Sequence, residues 1–271
     1  MFSYGTIYRK LSDPALSLLL GKKLGELSAS LARFYLGLFG YPDIAGQLRY
    51  PLAVNLLNPQ NREKILDAGC GNGIYANSIA HLFGSEVIGV DLNEEHLNRA
   101  KAAQKSLRSS AKFKKISLTD LAFKPASFNK IISMEVLEHI KDDKRALLKL
   151  SRVLKRGGFL VLSVPKKKEK LSQKELEEYK NPKYLGHVRS GYSENEIRKL
   201  AKEKGLTLEK KIKYYRLFSD FAIRIQQFFD LNGTVLLNII TYPFLNLLAH
   251  LDFFLGKKRY FKGYIFLFKK Q

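Results

Sequence analysis

Two aspartates flank a glycine-rich turn near position 70. Asp67 lies in one short apolar run and Asp91 ends the next. Three glycines stand between them at alternate positions, Gly69, Gly71 and Gly73. Glycine permits turn conformations that are closed to other residues and lets a ligand approach the backbone. A carboxylate at the end of the following strand can accept hydrogen bonds from two ribose hydroxyls. The spacing therefore predicts a crevice that binds a nucleoside.

Apolar runs of strand length alternate with helical patterns through the middle of the chain. The predicted strands are 64–68, 86–91, 112–117, 130–134, 159–164, 207–215 and 260–268. The predicted helices are 74–83, 93–107, 144–154, which we expect Gly157 and Gly158 to end, and 193–205. This alternation predicts an α/β fold with a seven-stranded, mostly parallel sheet and helices on both faces.

The pattern divides the chain into four segments. Residues 1–60 form a predicted N-terminal helical extension, 61–216 the sheet-containing core, 217–256 an apolar helical insertion, and 257–271 the last strand of the core. Within the core, the polar segment 166–189 is predicted to be a loop beside the ligand-binding edge.

The insertion begins as an amphipathic helix and continues as a run without formal charge over 233–251. A span needs about 20 apolar residues. Pro243 and several polar side chains interrupt this run, and a span would separate the last strand from its sheet. We expect a helical hairpin that covers the active site, or a segment in peripheral contact with a membrane.

Composition limits the compartment and the partners. The 271 residues carry a net charge of +22, and residues 166–271 hold 23 basic and 11 acidic side chains. Such a charge favours nucleic acid or an anionic membrane surface as a partner, although a lysine-rich solubilising surface would look the same. The single cysteine, Cys70, cannot form an internal disulfide, which predicts a cytoplasmic protein, with peripheral association at the inner face of the membrane as an extension.

Motifs across 60–216 resemble those of one enzyme family. A dinucleotide fingerprint would place its third glycine at position 74, which is Ile74. The order Asp-x-Gly-x-Gly-x-Gly instead resembles motif I of the class I (Rossmann-like) S-adenosylmethionine (SAM)-dependent methyltransferases. Three later blocks, 117–140, 152–165 and 186–206, also resemble this family, in particular its small-molecule and lipid methyltransferases.

The resemblance implies two sets of cofactor-binding residues. Those facing the methionine part of SAM are Asp67, Gly69, Gly71, Glu135 and Val136. Those facing the adenosine part are Asp91 for the ribose hydroxyls, Leu92 for the adenine ring, and Asp120 and Leu121 for the adenine amino group.

Two histidines are candidates for a catalytic base. An oxygen nucleophile benefits from a group that accepts its proton. His139 follows the predicted fourth strand, and His187 precedes the helix at 193–205. A structural role is the alternative for each. No metal site is predicted, because Asp142 and Asp143 have the pattern of a helix start.

The sequence therefore predicts a SAM-dependent methyltransferase with an apolar or lipid-linked small-molecule acceptor, with reaction at a membrane surface as an extension. One alternative is an RNA methyltransferase, which the basic charge favours. The tetrad Ser133–Val136 lacks the Asn-Pro-Pro-aromatic pattern of enzymes that methylate base amino groups. The other alternative is a non-catalytic module that binds SAM or a protein partner.

Overall fold

The computed structural model describes residues 43–168, 186–215, 217–231, 235–253 and 260–271, with the single positions 173 and 177. The helix expected before position 43 and most of the loop expected over 166–189 lie outside these residues. The chain divides into two compact units. Among described residues, the first contains 43–52, 101–109, 214–253 and 260–262, and the second contains 53–100, 110–213 and 263–271.

A seven-stranded sheet forms the centre of the second unit. Its strands are β1 (Lys64–Ala68), β2 (Glu86–Asp91), β3 (Lys112–Lys115), β4 (Phe128–Met134), β5 (Leu154–Pro165), β6 (Leu206–Tyr214) and β7 (Gly263–Lys270). They are arranged in the order β3-β2-β1-β4-β5-β7-β6. The pairs from β3 to β5 are parallel, whereas β7 runs antiparallel to β5. The predicted mostly parallel sheet is confirmed.

Helices lie before and between the strands along the chain. They are α1 (Ile44–Leu57), α2 (Ile74–Phe83), α3 (Glu94–Leu107), α4 (Asp143–Val153), α5 (Glu194–Lys202), α6 (Leu217–Leu231) and α7 (Val235–His250). The β1-α2-β2 crossover moves towards one edge of the sheet, and the β4-α4-β5 crossover moves towards the other. Because such crossovers are right-handed, α2 and α4 lie on opposite faces.

The strand order reverses between β1 and β4. Asp67 on β1 is level with Gly89 on β2 and with Ile132 on β4. The carboxyl ends of these three parallel strands therefore open at the same edge. In open α/β sheets, a reversal of this kind creates the crevice that binds ligands.

Two boundaries differ from the sequence prediction. Strand β3 stops at Lys115, because Ser117 caps a short 3₁₀ turn by accepting a hydrogen bond from the Thr119 N–H. Helix α4 ends at Val153, and β5 continues through Gly157 and Gly158. A Cβ on Gly158 would lie 2.7 Å from the Asn129 carbonyl oxygen. This glycine therefore serves a close approach to β4 and does not end the helix.

The first unit is built around the helical hairpin α6–α7. Its core contains six buried side chains, Ile44, Ala222, Ile223, Tyr242, Leu245 and Ala249. Helix α7 contains Pro243, which interrupts the apolar run in the sequence without ending the helix. None of the described helices is long and apolar enough to cross a membrane.

Candidate active site

The turn after β1 is shaped by glycines in left-handed conformations. Gly69 has φ = 78° and Gly71 has φ = 50°. A Cβ on Gly69 would lie 2.4 Å from Val136 Cγ2, so this position has room only for glycine. A Cβ on Gly71 would meet no atom within 4 Å. The backbone at Gly71 therefore borders open space at the edge of the sheet, where a ligand can approach it.

Asp91 at the end of β2 is tied to the same turn. Its Oδ2 accepts a hydrogen bond from the Gly71 N–H at 2.8 Å, and its Oδ1 accepts one from the Asn93 N–H at 2.9 Å. Each carboxylate oxygen has a second lone pair. Asp91 can therefore keep both backbone contacts and still accept hydrogen bonds from two ribose hydroxyls.

Asp67 is buried beneath the turn. Its Oδ2 accepts a hydrogen bond from the Ala76 N–H at 3.0 Å, in the first turn of α2. Burial raises the pKa of Asp67 to about 7, the Ala76 N–H partly offsets this increase, and the charge of Asp91 adds to it. This contact stabilises the start of α2, while contact between Asp67 and a methionine group remains a prediction.

The residues expected near adenine lie after β2 and β3. The Leu92 side chain follows Asp91 directly and is 61% exposed, so its apolar surface is available to an adenine ring. Asp120 Oδ1 accepts a hydrogen bond from Arg145 Nη2 at 2.7 Å, which leaves Oδ2 able to accept from an amino group. Leu121 is buried immediately after it. Arg145 as the partner of Asp120 was not predicted from the sequence.

Glu135 and Val136 follow β4 directly. Glu135 has φ = 56°, a conformation that is uncommon for a residue with a side chain. Its N–H donates to the Ser163 carbonyl at 3.1 Å, and its carboxylate accepts from the Ser163 hydroxyl at 2.5 Å. These contacts fix the end of β4 against β5. Since Val136 packs on Gly69, the two segments expected to bind methionine meet here.

His139 and His187, which are 48 positions apart in the sequence, meet at this edge. Their ring centroids lie 4.6 Å apart, with the ring planes nearly perpendicular. His139 Nδ1 lies 3.2 Å from the Gly186 carbonyl oxygen. Burial, followed by the neighbouring His139, lowers the pKa of His187 to about 4. His187 is therefore neutral at neutral pH.

A buried glutamate completes this cluster. Potential ligand atoms of Glu138, His139 and His187 all lie within 4.8 Å of one another. Two imidazoles and a carboxylate are a donor set that can hold a transition metal. This cluster could not be predicted from the spacing of residues in the sequence, because His187 comes from a distant segment.

A network of hydrogen bonds holds the His187 segment in place. Arg189 Nη2 donates to the Ile140 carbonyl at 2.8 Å, and Arg189 Nη1 is paired with the Asp143 carboxylate. The Tyr192 hydroxyl donates to Asp143 Oδ2 at 2.8 Å. The Val188 N–H donates to the Glu138 carbonyl at 2.9 Å. These contacts, called the 186–192 clamp below, tie that segment to residues 137–143.

The arrangement fits SAM on features of the chain itself. The open space beside Gly71 can receive the methionine part of SAM. The free lone pairs of Asp91 suit the ribose, and the exposed apolar side chain of Leu92 suits the adenine ring. The residues carried over from the resemblance thus lie around one edge of β1, β2 and β4.

Comparison with known proteins agrees with this geometry. Residues 66–162 match the family described as a methyltransferase domain. The chain is 32% identical over 145 residues to a ubiquinone biosynthesis O-methyltransferase of Albidiferax ferrireducens, covering 50% of this chain and 57% of that protein. It is 36% identical over 101 residues to the protein of the same name from Colwellia psychrerythraea, covering 37% and 41%. The chain therefore spans about half the length of the curated relatives it matches.

Solved structures share the fold at low sequence identity. Phosphoethanolamine N-methyltransferase 2 of Haemonchus contortus, in complex with phosphomonomethylethanolamine and S-adenosylhomocysteine, has a TM-score of 0.62 at 19% identity, covering 97% of this chain and 60% of that one. The cyclase SpnF has a TM-score of 0.58 at 17% identity, covering 98% and 95%. Residues 66–162 form a methyltransferase domain, and the fold around it is that of the class I SAM-dependent methyltransferases, whose cofactor is S-adenosylmethionine.

Proposed function

We propose that this protein transfers the methyl group of SAM to a hydroxyl oxygen of an apolar or lipid-linked small molecule. The observation that carries the proposal is the meeting of His139 and His187 beside the end of β4. A hydroxyl must lose its proton during methyl transfer, and this pair supplies a group that accepts it.

His139 is the better base of the two. If its Nδ1–H donates to the Gly186 carbonyl, Nε2 carries the free lone pair. His187, with a pKa lowered to about 4, is a weak proton acceptor. We therefore assign proton acceptance to His139 and a positioning role to the neutral His187, which packs against it.

The chain contributes binding and orientation to the rest of the reaction. SAM supplies an activated methyl group on its sulfonium centre when it is bound. Asp91 would bind the ribose, Asp120 the adenine amino group, and the backbone at Gly69 and Gly71 the methionine part. Orientation of the two reactants accounts for much of the rate in such a transfer.

The names of the curated relatives support an oxygen acceptor with apolar character. Both are ubiquinone biosynthesis O-methyltransferases. The apolar hairpin α6–α7 is consistent with such an acceptor. We further propose that the reaction takes place at a membrane surface, where an acceptor of this kind would partition.

The RNA alternative depends on charge, and part of that charge has a structural explanation. Strands β3 and β6 are the two edges of the sheet. Their sequences, KFKK and LTLEKKIKY, carry three lysines each. Lysines on edge strands prevent pairing with other chains. A non-catalytic module that binds SAM or a protein partner would not need two histidines in contact at the end of β4.

Methyl transfer to a panel of prenylated phenols, with labelled SAM as donor, tests the proposal. We expect His139→Ala to lower the transfer rate by about 100-fold or more, in line with loss of a general base, with SAM affinity unchanged. His250→Ala, which alters an exposed histidine on α7, is the matched control and should leave the rate intact. Equal rates for His139→Ala and the unaltered protein would refute the assigned base.

A further inference from the structure

We propose that the outer faces of α6 and α7 form a docking surface for an anionic membrane. Seven large apolar side chains define this surface, called the 217–247 face below, namely Leu217, Phe221, Phe228, Leu237, Ile240, Phe244 and Leu247. The inference adds a specific surface to the proposed function but does not depend on methyl transfer, because it rests on the first unit alone.

The spacing of these residues places them on one stripe of each helix. On α6 the exposed positions are 217, 221 and 228, and on α7 they are 237, 240, 244 and 247. At about 3.6 residues per turn, each set falls on one side of its helix. The buried residues of the same helices, among them Ala222 and Tyr242, fall on the other side and fill the core of the unit.

The exposure of this face is large for apolar side chains. Phe244 is 77% exposed, Leu247 68% and Phe228 62%. Eleven large hydrophobic side chains are exposed among the described residues, and seven of them lie on this hairpin. Because these apolar side chains are concentrated on one face, the 217–247 face differs from an ordinary protein surface, where exposed apolar residues are scattered.

The charges around the face favour an anionic surface as the occupant. Arg224 is exposed on α6, and it pairs with Asp220, which also lies 3.3 Å from Lys262 Nζ. Asp252 is buried and accepts hydrogen bonds from the Phe218 and Ser219 N–H groups. Asp220 on α6 and Asp252 just after α7 are thus paired or buried.

The sequence continues this charge pattern beyond the hairpin. Residues 233–251 contain no formally charged side chain, and Lys257, Lys258 and Arg259 follow soon after. A second copy of this chain as occupant would bring two molecules of net charge +22 together. An anionic bilayer neutralises that charge and buries the apolar side chains at the same time. No described helix is suited to span the bilayer, so contact would occur at its surface.

Vesicle flotation of the purified full-length protein tests the proposal. The probes are vesicles of phosphatidylcholine alone and of phosphatidylcholine mixed with phosphatidylglycerol. We expect binding to the mixed vesicles at low salt, weakened by added salt, and little binding to phosphatidylcholine alone. The double variant Phe244→Ser, Leu247→Ser should lose binding by roughly tenfold or more, because two exposed apolar side chains no longer enter the interface.

Leu148→Ser is the matched control, since Leu148 is half-exposed on α4 in the other unit. It should bind vesicles as the unaltered protein does. SAM affinity, measured in parallel, should be equal in all three proteins and verifies that each is folded. The proposal would be overturned by absence of flotation at low salt, by binding that the double variant retains, or by a dimer in sedimentation that the double variant dissociates.

Discussion

Asp67 is a buried aspartate, an uncommon environment for this residue type. Because the pKa of Asp67 is about 7 in the folded protein, its carboxyl group keeps its proton at pH values at which the same group in the unfolded chain is ionised. Its contribution to stability is therefore full below about pH 4 and is lost as the pH rises through about 7. The causes are burial first and the charge of Asp91 second.

Replacing Asp67 with asparagine removes this titration and keeps an oxygen to accept from the Ala76 N–H. We expect the free energy of unfolding of the unaltered protein to fall by about 2–3 kcal/mol between about pH 5 and pH 8 relative to Asp67→Asn. Urea denaturation across that pH range measures the difference. Asp142→Asn, at the exposed cap of α4, is the control. Parallel pH profiles for Asp67→Asn and the unaltered protein would contradict the raised pKa.

The sequence predicted the geometry of the glycine-rich turn better than the arrangement of the two histidines. Asp91 and the glycines lie close together in the chain, so their spacing alone defines the turn. His187 meets His139 only through the 186–192 clamp, whose contacts link segments about 50 positions apart. A pattern read along one chain carries no information on such pairing, and Glu138 therefore went unnoticed as the third member of the cluster.

At the scale of elements, the clamp decides where His187 lies. The buried Tyr192 hydroxyl donates to Asp143 Oδ2 at 2.8 Å and lies 3.2 Å from the Leu137 carbonyl oxygen. Arg189 lies over the Tyr192 ring at 5.3 Å. In the proposed arrangement, the clamp would act on the reaction through His187 and would touch no reacting atom.

Tyr192→Phe removes the hydroxyl and keeps the ring. We expect the pKa of His187, followed by NMR, to rise towards its ordinary value as the segment loosens and the imidazole gains access to water. The transfer rate should fall several-fold, with SAM affinity unchanged, since about 1 kcal/mol of hydrogen bonding is lost. Lys167→Met, which removes an exposed ion pair with Glu196, is the control. An unchanged His187 pKa in Tyr192→Phe would show that the clamp does not position this residue.

Element boundaries were predicted to within a few residues wherever local patterns determine them. Ser193 and Glu196 form the expected capping box at the start of α5. The errors occurred where tertiary contact decides, as at Gly158, which approaches the backbone of β4. The helical periodicity of the insertion still identified α6 correctly.

At the scale of the whole molecule, two units have different tasks in this account. The second unit holds the residues expected to bind SAM, and the first holds the 217–247 face. The parallel pairing from β3 to β5 is what a sequence reveals through its alternation of strands and helices. The antiparallel position of β7 between β5 and β6 was not predicted. The alternation of strands and helices does not identify the methyl acceptor, because the cyclase SpnF has the same fold.

The most direct test of the central claim is the destination of the methyl group. The purified protein is incubated with methyl-labelled SAM and a fractionated cell extract, and Asp91→Ala, which should bind SAM more weakly by about 2–3 kcal/mol, serves as the control. Our account predicts label in the lipid fraction, in a base-stable ether, and much less label with the variant at limiting SAM. Label confined to RNA or protein, or no transfer to any fraction, would contradict it.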